Sequence, residues 1–515
     1  MRSPVSSRNG KNRLNTGFNP ATVSRNELPR FPVTQPVFKI DLANALRGKP
    51  SMNTFPSPLD RREFLAATSL GILAARSATN PISAQDKPSA QSTTATGQTT
   101  PKSSDRVRIG VMGLGRGMAH VQSALATPGV ELAWICDVDE KRLNSALKAI
   151  AAKHDQASAK AVLPQTTDDF RRILDDRTVD ALVIAAPNFW QAPATILACA
   201  AGKHVYVEKP GSHDPQEAIW MVAAARKHKR LVQMGNQRRS WPAIQEAISK
   251  LHEGVIGRLT YARCWYNNLR KPVGPQSPAA IPAGLNFELW QGPVPRRDYV
   301  ENLVHYQWHW FWDYGNGELG NNGIHALDLA RWGLSGKQGE RDHLQAVSYL
   351  GGHYHLGKTQ ESPDTGGCLF DYGTHGILWE GSSSHARRPD KLPFVEFYGE
   401  QGSLSIEGSG YRAFDMDGAE IAKNTGTGGD LIHFENFIEA IRGNQPLQAE
   451  IEEGQKSTML CHLGNISWRL GQTLHSQSLK GNAEPSSISQ SWNTTPEINN
   501  LWTRPHYAPG FAPQM

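Results

Sequence analysis

Cysteine is scarce in this chain. Its 515 residues include five, Cys136, Cys199, Cys264, Cys368 and Cys461, odd in number and widely scattered. None forms a C-x-x-C pair and four sit in apolar runs, so neither a disulfide framework nor a cysteine zinc site is indicated. Long apolar runs are lacking too. The run from Phe64 to Ala75 is closed by Arg76 and falls far short of the ~20 residues that span a bilayer, which argues against a transmembrane helix. A basic surface is also missing from the folded part. The net charge is +6, but residues 1–51 hold nine Lys or Arg against Glu27 and Asp41, a balance of +7, which leaves the remainder close to −1. No nucleic-acid-binding face is implied. What is present, 39% hydrophobic and 20% charged residues over this length, suffices for two globular domains with sizeable cores.

Residues 52–84 read as an export leader. Asp60-Arg61-Arg62-Glu63-Phe64-Leu65 sets two arginines directly before the short apolar run, and the pair resembles the twin-arginine translocation signal, by which bacteria export folded proteins. Such signals stand near the start of a chain, so Met52 is the expected first residue, with residues 1–51 untranslated or unstructured. The stretch 85–105, rich in Ser, Thr, Pro, Gln and Ala without an apolar period, reads as a disordered linker. The implied location is outside the cytoplasm, in the periplasm, and the translocation machinery is an implied partner.

The folded chain is organised around Arg106-Val-Arg-Ile-Gly-Val-Met-Gly-Leu-Gly-Arg-Gly-Met-Ala-His120. A β-branched apolar run stops at glycines and an amphipathic segment follows: a strand, a tight turn and a helix N-terminus, in the order a dinucleotide-binding fold needs. Gly113 allows the turn, Gly115 lets backbone approach a pyrophosphate, and the helical N–H groups meet its charge. Arg116 and Gly117 lie in the same turn, and Met118 occupies the usual third small position of the fingerprint. The next strand, Val130 to Cys136, ends at Asp137, twenty-four positions after Gly113. A carboxylate there accepts from both adenosine ribose hydroxyls and repels a 2′-phosphate, which favours NAD over NADP. Asp139 is a nearby competitor for that role.

Alternating strands and helices continue to about residue 235, which predicts a mostly parallel, doubly covered sheet over 106–235. Ligands bind beyond the carboxyl ends of such strands, so Pro187, Asn188 and Trp190, after the strand Val179 to Ala185, are expected to line the cofactor cleft. Glu208-Lys209-Pro210 follows the next strand. A buried lysine there could hydrogen-bond a substrate hydroxyl and stabilise the developing alkoxide; a surface lysine opening a helix is the alternative. Arg238 or Arg239, after the last strand, could meet a substrate carboxylate or sugar hydroxyls, or form a solvated charge pair.

Residues 236–475 read as a second domain, with a helix at 236–252, a strand at 257–266 and a long insertion at 267–300 that should sit over a cleft or an interface. His305 to Tyr314 is densely aromatic. Its aromatic residues, Trp308 and Trp310 among them, and the two histidines, His305 and His309, suit a carbohydrate-stacking wall, although a packed domain junction uses the same residue types. A glycine-rich run then leads to Asn321 and His325, with Asp328 three residues on. Imidazole is the natural proton acceptor near neutrality. His305, His309, Asp313, His325 and Asp328 have spacings a metal could use, but no H-E-x-x-H arrangement occurs and no metal is assigned. Alternating runs from Ala346 to Ile406 predict an open, mainly antiparallel sheet, closed by helices at 431–442 and 451–474. One face of that sheet is free for a partner subunit, as in a dimer or tetramer. The tail at 476–515 shows no period.

Gly113-Leu114-Gly115, Asp137, Ala186-Pro187-Asn188, Glu208-Lys209-Pro210 and the run ending in His325 together resemble the Gfo/Idh/MocA oxidoreductase family over roughly 106–475. The resemblance implies a Rossmann-type NAD(P)-binding domain followed by an α+β domain with a large open sheet, and reversible oxidation of sugars, inositols or related polyols. It assigns the catalytic lysine to Lys209 and the catalytic histidine to His325. The family's aspartate, four residues before that histidine, is Asn321 here, which can hydrogen-bond a hydroxyl but cannot take its proton. Gln191 stands where many relatives have a histidine. Export adds the expectation that NAD is loaded before translocation and then retained. Simple oxidoreduction of a sugar or polyol is the leading expectation. Redox-assisted cleavage of a glycosidic bond, in which NAD is regenerated within one cycle, is the second, and a non-catalytic carbohydrate-binding protein is the third.

Overall fold

The computed structural model describes residues 106–156, 162–337, 339, 341–384, 392–476, 495–504 and 506–512. The segment 1–51, the leader and the linker lie outside the described residues.

The first domain contains the strands β1 (Val107–Met112), β2 (Val130–Cys136), β3 (Gln165–Thr167), β4 (Ala181–Ile184), β5 (His204–Val207) and β6 (Val232–Met234). They alternate with the helices α1 (Gly117–Ala126), α2 (Glu140–Gln156), α3 (Arg171–Asp175), α4 (Asn188–Ala200) and α5 (Pro215–His228). The strands pair in parallel in the order 3-2-1-4-5-6. Helices cover both faces, which is why β4 is buried at all four positions and reads as an unbroken apolar run. Local chemistry sets the helix starts: Asp214 accepts the Glu217 N–H at 2.8 Å and Pro215 opens α5. The strand order reverses between β1 and β4, and the crevice beyond their carboxyl ends is where this topology takes ligands.

The second domain contributes α6 (Pro242–Glu253), β7 (Leu259–Asn267), α7 (Phe287–Gln291) and α8 (Ile324–Leu334). They are followed by β8 (Ala346–Gly352), β9 (Thr365–Asp371), β10 (Gly376–Ser382), β11 (Val395–Gly399), β12 (Gly402–Glu407), β13 (Gly410–Asp415) and β14 (Glu420–Asn424). The remaining elements are α9 (Asp430–Ile441), α10 (Ile451–Leu470), β15 (Leu474–His475) and α11 (Pro496–Trp502). Nine strands form a sheet in the order 14-13-12-11-7-10-9-8-15. Its pairs are antiparallel except β7 with β10. Along β9 the alternation is plain: Cys368 and Phe370 are buried beneath the helices while Leu369 and Asp371 are exposed on the other face. No helix among the described residues is long and apolar enough to cross a membrane.

Two features depart from the sequence expectation. The helix at 430–441 does not close the second domain; Phe434, Phe437 and Ile438 of α9 join Val107, Ile109, Val111 and Val183 in one buried cluster and complete a face of the first domain's sheet. The tail, without a period of its own, is nevertheless ordered at 495–504 and 506–512. Arg504 donates its backbone N–H to Asp214 Oδ2 at 3.0 Å, and Tyr507 Oη donates to Glu217 Oε1 at 2.9 Å.

Candidate functional site

A cavity of about 520 Å³ opens beyond β1, β2 and β4, walled on the other side by the second domain. Gly113 starts the wall with φ +88°, and a Cβ there would stand 2.7 Å from the Ala185 carbonyl oxygen, so only glycine fits. At Gly115 an added Cβ would come 2.6 Å from Nη1 of Arg142, whose guanidinium also lines the cavity. Gly117 is not in the lining. A Cβ there would press on Val111 and Ala185 at 3.1 and 3.3 Å, so Gly117 performs the close helix-to-strand packing expected of Met118. Met118 itself lies outside the cavity and packs against the buried cluster under α1.

Asp137 ends β2 with 7% exposure. Its Oδ2 accepts the Leu114 N–H at 2.7 Å and its Oδ1 the Asp139 N–H at 3.0 Å. Burial raises its pKa against the opposing pull of those two donors. Each oxygen keeps further acceptor capacity, and Asp137 lines the cavity, which suits a ribose diol. Asp139, the competitor, is engaged elsewhere, since its Oδ2 meets His305 Nε2 at 2.8 Å. We expect Asp137→Ala to weaken NAD binding by roughly ten- to a hundredfold and to narrow the gap between NAD and NADP, the loss of hydrogen bonds to a charged group. Titration calorimetry with both nucleotides checks this, and unchanged NAD affinity would refute it.

Pro187, Asn188 and Trp190 open α4 in the same lining. Asn188 donates to Asn316 Oδ1 at 2.7 Å, and Trp190 Nε1 donates to the Leu289 and Trp290 carbonyls at 3.1 and 3.2 Å. Gln191 braces the turn that bears the lysine: its amide nitrogen donates to the Ala186 and Lys209 carbonyls at 3.1 and 3.4 Å, and its oxygen accepts from the Gly211 N–H at 2.8 Å.

Glu208 is a hub. Its Oε1 meets His120 Nε2 at 2.8 Å, Arg116 Nε at 3.0 Å and Gln237 Nε2 at 3.1 Å, while Oε2 accepts the Lys209 N–H at 3.2 Å. Burial alone would raise its pKa, but the His120 hydrogen bond and the Arg116 charge outweigh burial and hold it well below the usual range. Arg116 is shared with Asp430 at the start of α9, at 2.9 and 2.5 Å. Lys209 reaches across the cavity, its Nζ donating to the Asn321 carbonyl at 2.7 Å and to Asn321 Oδ1 at 3.2 Å. Burial lowers its pKa, opposed by Glu208.

His325 follows Asn321 at the start of α8 but is not among the residues that line the cavity. Burial first, then the Lys209 charge, push its pKa down to about 3, so it is neutral. Asp328 does not support it, being locked to Arg239 by three contacts of 2.8 to 3.0 Å and to Ser457 at 2.7 Å.

Two of the expected substrate contacts lie elsewhere. Arg238 donates to the Gly408 carbonyl and stacks on Trp241 and Phe394 at 4.7 and 4.4 Å, held in a slot of the second domain outside this cavity. Trp310 donates to Gln307 Oε1 at 2.9 Å and lies against the Arg270 guanidinium at 4.0 Å, whereas Trp308 lines the cavity. The turn Gln307–Trp310 is a 3₁₀ helix, so residues two apart point to different sides. Sequence reasoning missed Arg142 in the cofactor wall, five residues after Asp137 and signalled only by that spacing. It weighed His305 and His309 as part of a stacking wall and as metal ligands, not as proton acceptors. Both line the cavity, and no group of three metal-type side chains occurs among the described residues.

Residues 107–236 match the model of the oxidoreductase family, NAD-binding Rossmann fold, and residues 254–347 that family's C-terminal alpha/beta domain. A glycosyl hydrolase family 109 protein of Saccharopolyspora erythraea is 30% identical over 203 residues, 37% of this chain and 44% of that protein. Another from Shewanella baltica is 30% identical over 215 residues, 40% of this chain and 46% of that protein. The chain thus spans less than half the length of these curated relatives. The WlbA dehydrogenase of Bordetella pertussis, solved with NADH and UDP-GlcNAcA, superposes with a TM-score of 0.54 at 20% identity over 72% of this chain and 99% of that one. The aldose-aldose oxidoreductase of Caulobacter crescentus, solved with glycerol, gives 0.55 at 17% identity over 72% and 99%. At such identities the structures establish a shared fold. Two stretches of the chain, one in each domain, thus match models of the Gfo/Idh/MocA oxidoreductase family, and the first of them is similar to that family's NAD-binding Rossmann domain.

Proposed function

We propose that the protein is an exported enzyme that oxidises a hydroxyl of a sugar or polyol with a tightly held NAD. The observation that carries this reading is the reach of the Lys209 ammonium to Asn321 inside the cavity whose far end holds Asp137 and the Gly113 turn. The glycine cradle and the Asp137 carboxylate fit a dinucleotide, with Asn188 and Trp190 along its course. Bound there, the nicotinamide supplies a hydride acceptor. The chain supplies the rest. A substrate hydroxyl that displaces the Asn321 contacts receives the Lys209 hydrogen bond, which stabilises the oxygen as negative charge develops. Asn321 orients that hydroxyl, and Trp190 and Trp308 keep water from the cavity wall.

Hydrogen bonds made by the insertion 267–300 support retention of the nucleotide in this reading. Glu140 donates its N–H to the Gly284 carbonyl at 3.0 Å, Asn286 donates its N–H to the Val138 carbonyl at 2.8 Å, and the Asn286 amide donates to Asp168 Oδ2 at 3.0 Å. These bonds stitch the second domain to the adenosine end of the crevice, so exchange of a nucleotide requires several to open together. Such retention, together with the glycosyl hydrolase names of the 30%-identical relatives, favours a second reading, redox-assisted glycoside cleavage. In that reading, transient oxidation of one sugar carbon acidifies its neighbour and elimination breaks the glycosidic bond. The exposed face of the nine-stranded sheet, with Leu350 and Leu369 outward, is the surface we propose for a dimer or tetramer.

Acid release of nucleotide from the purified protein, followed by incubation with aldoses, polyols and glycosides without added cofactor, separates the readings. Accumulation of bound NADH supports oxidation, glycoside loss without net reduction supports the cleavage cycle, and absence of both nucleotide and turnover refutes both. Export rests on Arg61 and Arg62. Changing both to lysine should leave the protein in the cytoplasmic fraction, and periplasmic recovery of that variant would refute the twin-arginine route.

A further inference from the structure

We propose that Nε2 of His309 accepts the proton of the substrate hydroxyl held by Lys209, a role that rests on the oxidoreductase reading above. His309 lines the cavity together with Lys209 and Asn321. Its other ring nitrogen decides its tautomer. Nδ1 lies 2.5 Å from the Tyr306 carbonyl oxygen, and a carbonyl can only accept, so the neutral ring carries its proton on Nδ1 and presents a bare lone pair at Nε2. Among the described residues Nε2 has no hydrogen-bond partner.

The ring is held in place from both sides. It stacks on Trp308 with centroids 3.6 Å apart and planes 20° apart, and its further ring neighbours are Tyr306 at 4.7 Å and Trp310 at 5.7 Å. The backbone beneath it is pressed against Gly315, where an added Cβ would come within 2.4 Å of the His309 carbonyl oxygen and 2.5 Å of its Cα. Burial pushes its pKa down to about 3, opposed by the hydrogen bond to the Tyr306 carbonyl and aided by the nearby charges of Lys209 and Arg270. The imidazole therefore stays neutral and able to accept. Asn321 cannot take a proton, His325 stands outside the lining, and His305 gives its Nε2 to Asp139, so His309 is the histidine that shares the cavity with Lys209 and keeps Nε2 free among the described residues.

The step balances as follows. The hydroxyl O–H bond breaks and an N–H bond forms at Nε2. The oxygen's electron pair becomes the second bond of the new carbonyl, and the carbon's C–H electron pair leaves with its hydrogen to the oxidised nicotinamide dinucleotide. The imidazolium then returns its proton to solvent.

Three proteins test this: wild type, His309→Gln and His325→Gln, each assayed for cofactor reduction with a panel of aldoses and polyols across pH. Nucleotide content and thermal midpoint are measured in parallel. A general base is worth about a hundredfold or more. We expect H309Q to lose at least that in kcat at unchanged nucleotide content, and to lose the fall in rate toward acid pH that marks protonation of the base. Histidine-labelled 15N spectra, with the His309 signal assigned by its disappearance in H309Q, should show the proton on Nδ1. If H309Q destabilises the fold, recovery of turnover by added imidazole in His309→Ala supports the role, and no recovery counts against it. The proposal is overturned if H309Q keeps wild-type kcat and pH profile, or if the spectra place the proton on Nε2. A wild type that retains nucleotide yet reduces none with any substrate overturns the oxidoreductase reading itself.

Discussion

Replacing Lys209 by methionine lowers kcat by about a thousandfold and leaves the affinity for NAD within a few fold. Methionine keeps the length and apolar stem of the side chain, so the packing of the turn is preserved and only the ammonium is lost. That ammonium donates two hydrogen bonds to Asn321, at 2.7 and 3.2 Å, inside a cavity closed by aromatic rings. A preorganised donor at the oxygen where charge develops contributes roughly a hundred- to a thousandfold, and more when it also orients the substrate. Nucleotide affinity should be spared because the ribose anchor, Asp137, terminates a different strand. The pH dependence has a defined sign. Lys209 must be protonated to donate, and its pKa is lowered by burial, so wild-type turnover falls as pH rises through that lowered value. Steady-state kinetics and nucleotide titration of K209M check both halves; retention of more than a tenth of the wild-type kcat would remove Lys209 from the mechanism.

Glu208→Leu destabilises the protein by about 3–5 kcal/mol, the range for breaking a buried ionic cluster by removing one partner. The carboxylate is 3% exposed and holds His120, Arg116, Gln237 and the Lys209 N–H at once. Without it the fully buried His120 ring loses the one hydrogen-bond partner it has among the described residues, whereas Arg116 keeps Asp430. Glu208→Gln, which preserves shape and part of the hydrogen bonding, should cost less, about 1–3 kcal/mol. Because the folded-state pKa of Glu208 is depressed, its contribution is fully present above the unfolded value of about 4.3. It is lost as pH falls from there through the folded value. Denaturant titrations at pH 7 and pH 4 should therefore show E208Q losing less stability on acidification than wild type. Equal losses would show that Glu208 is not the carboxylate responsible.

Both predictions concern residues that a reading of the chain alone singles out, and the reason is geometric. In a doubly wound sheet the residues directly after each parallel strand fall at one edge. Once the apolar runs ending at Met112, Cys136, Ile184 and Val207 are recognised, Gly113, Asp137, Asn188 and Lys209 share a crevice whatever the loops do. The aromatic stretch is different. Trp308, His309 and Trp310 are adjacent, and nothing in their composition tells which one faces the cavity; the 3₁₀ turn sends Trp308 and His309 to it and Trp310 under Arg270. Asp328 was paired on paper with His325 by helical spacing, yet a buried arginine from the far side of the site claims it.

By itself the sequence determined the α/β architecture, the glycine turn and the placing of Asp137 and Lys209 directly after parallel strands at one cavity, because each depends on a local pattern of strand, turn and helix start. Tertiary structure alone decided that α9 returns across some three hundred residues to complete the core of the first domain, that the insertion bonds to the segment after β2 and to Asp168, and that His309 shares a cavity with Lys209. Those outcomes depend on which distant surfaces bury each other, and burial between distant segments leaves no periodic trace in either of them.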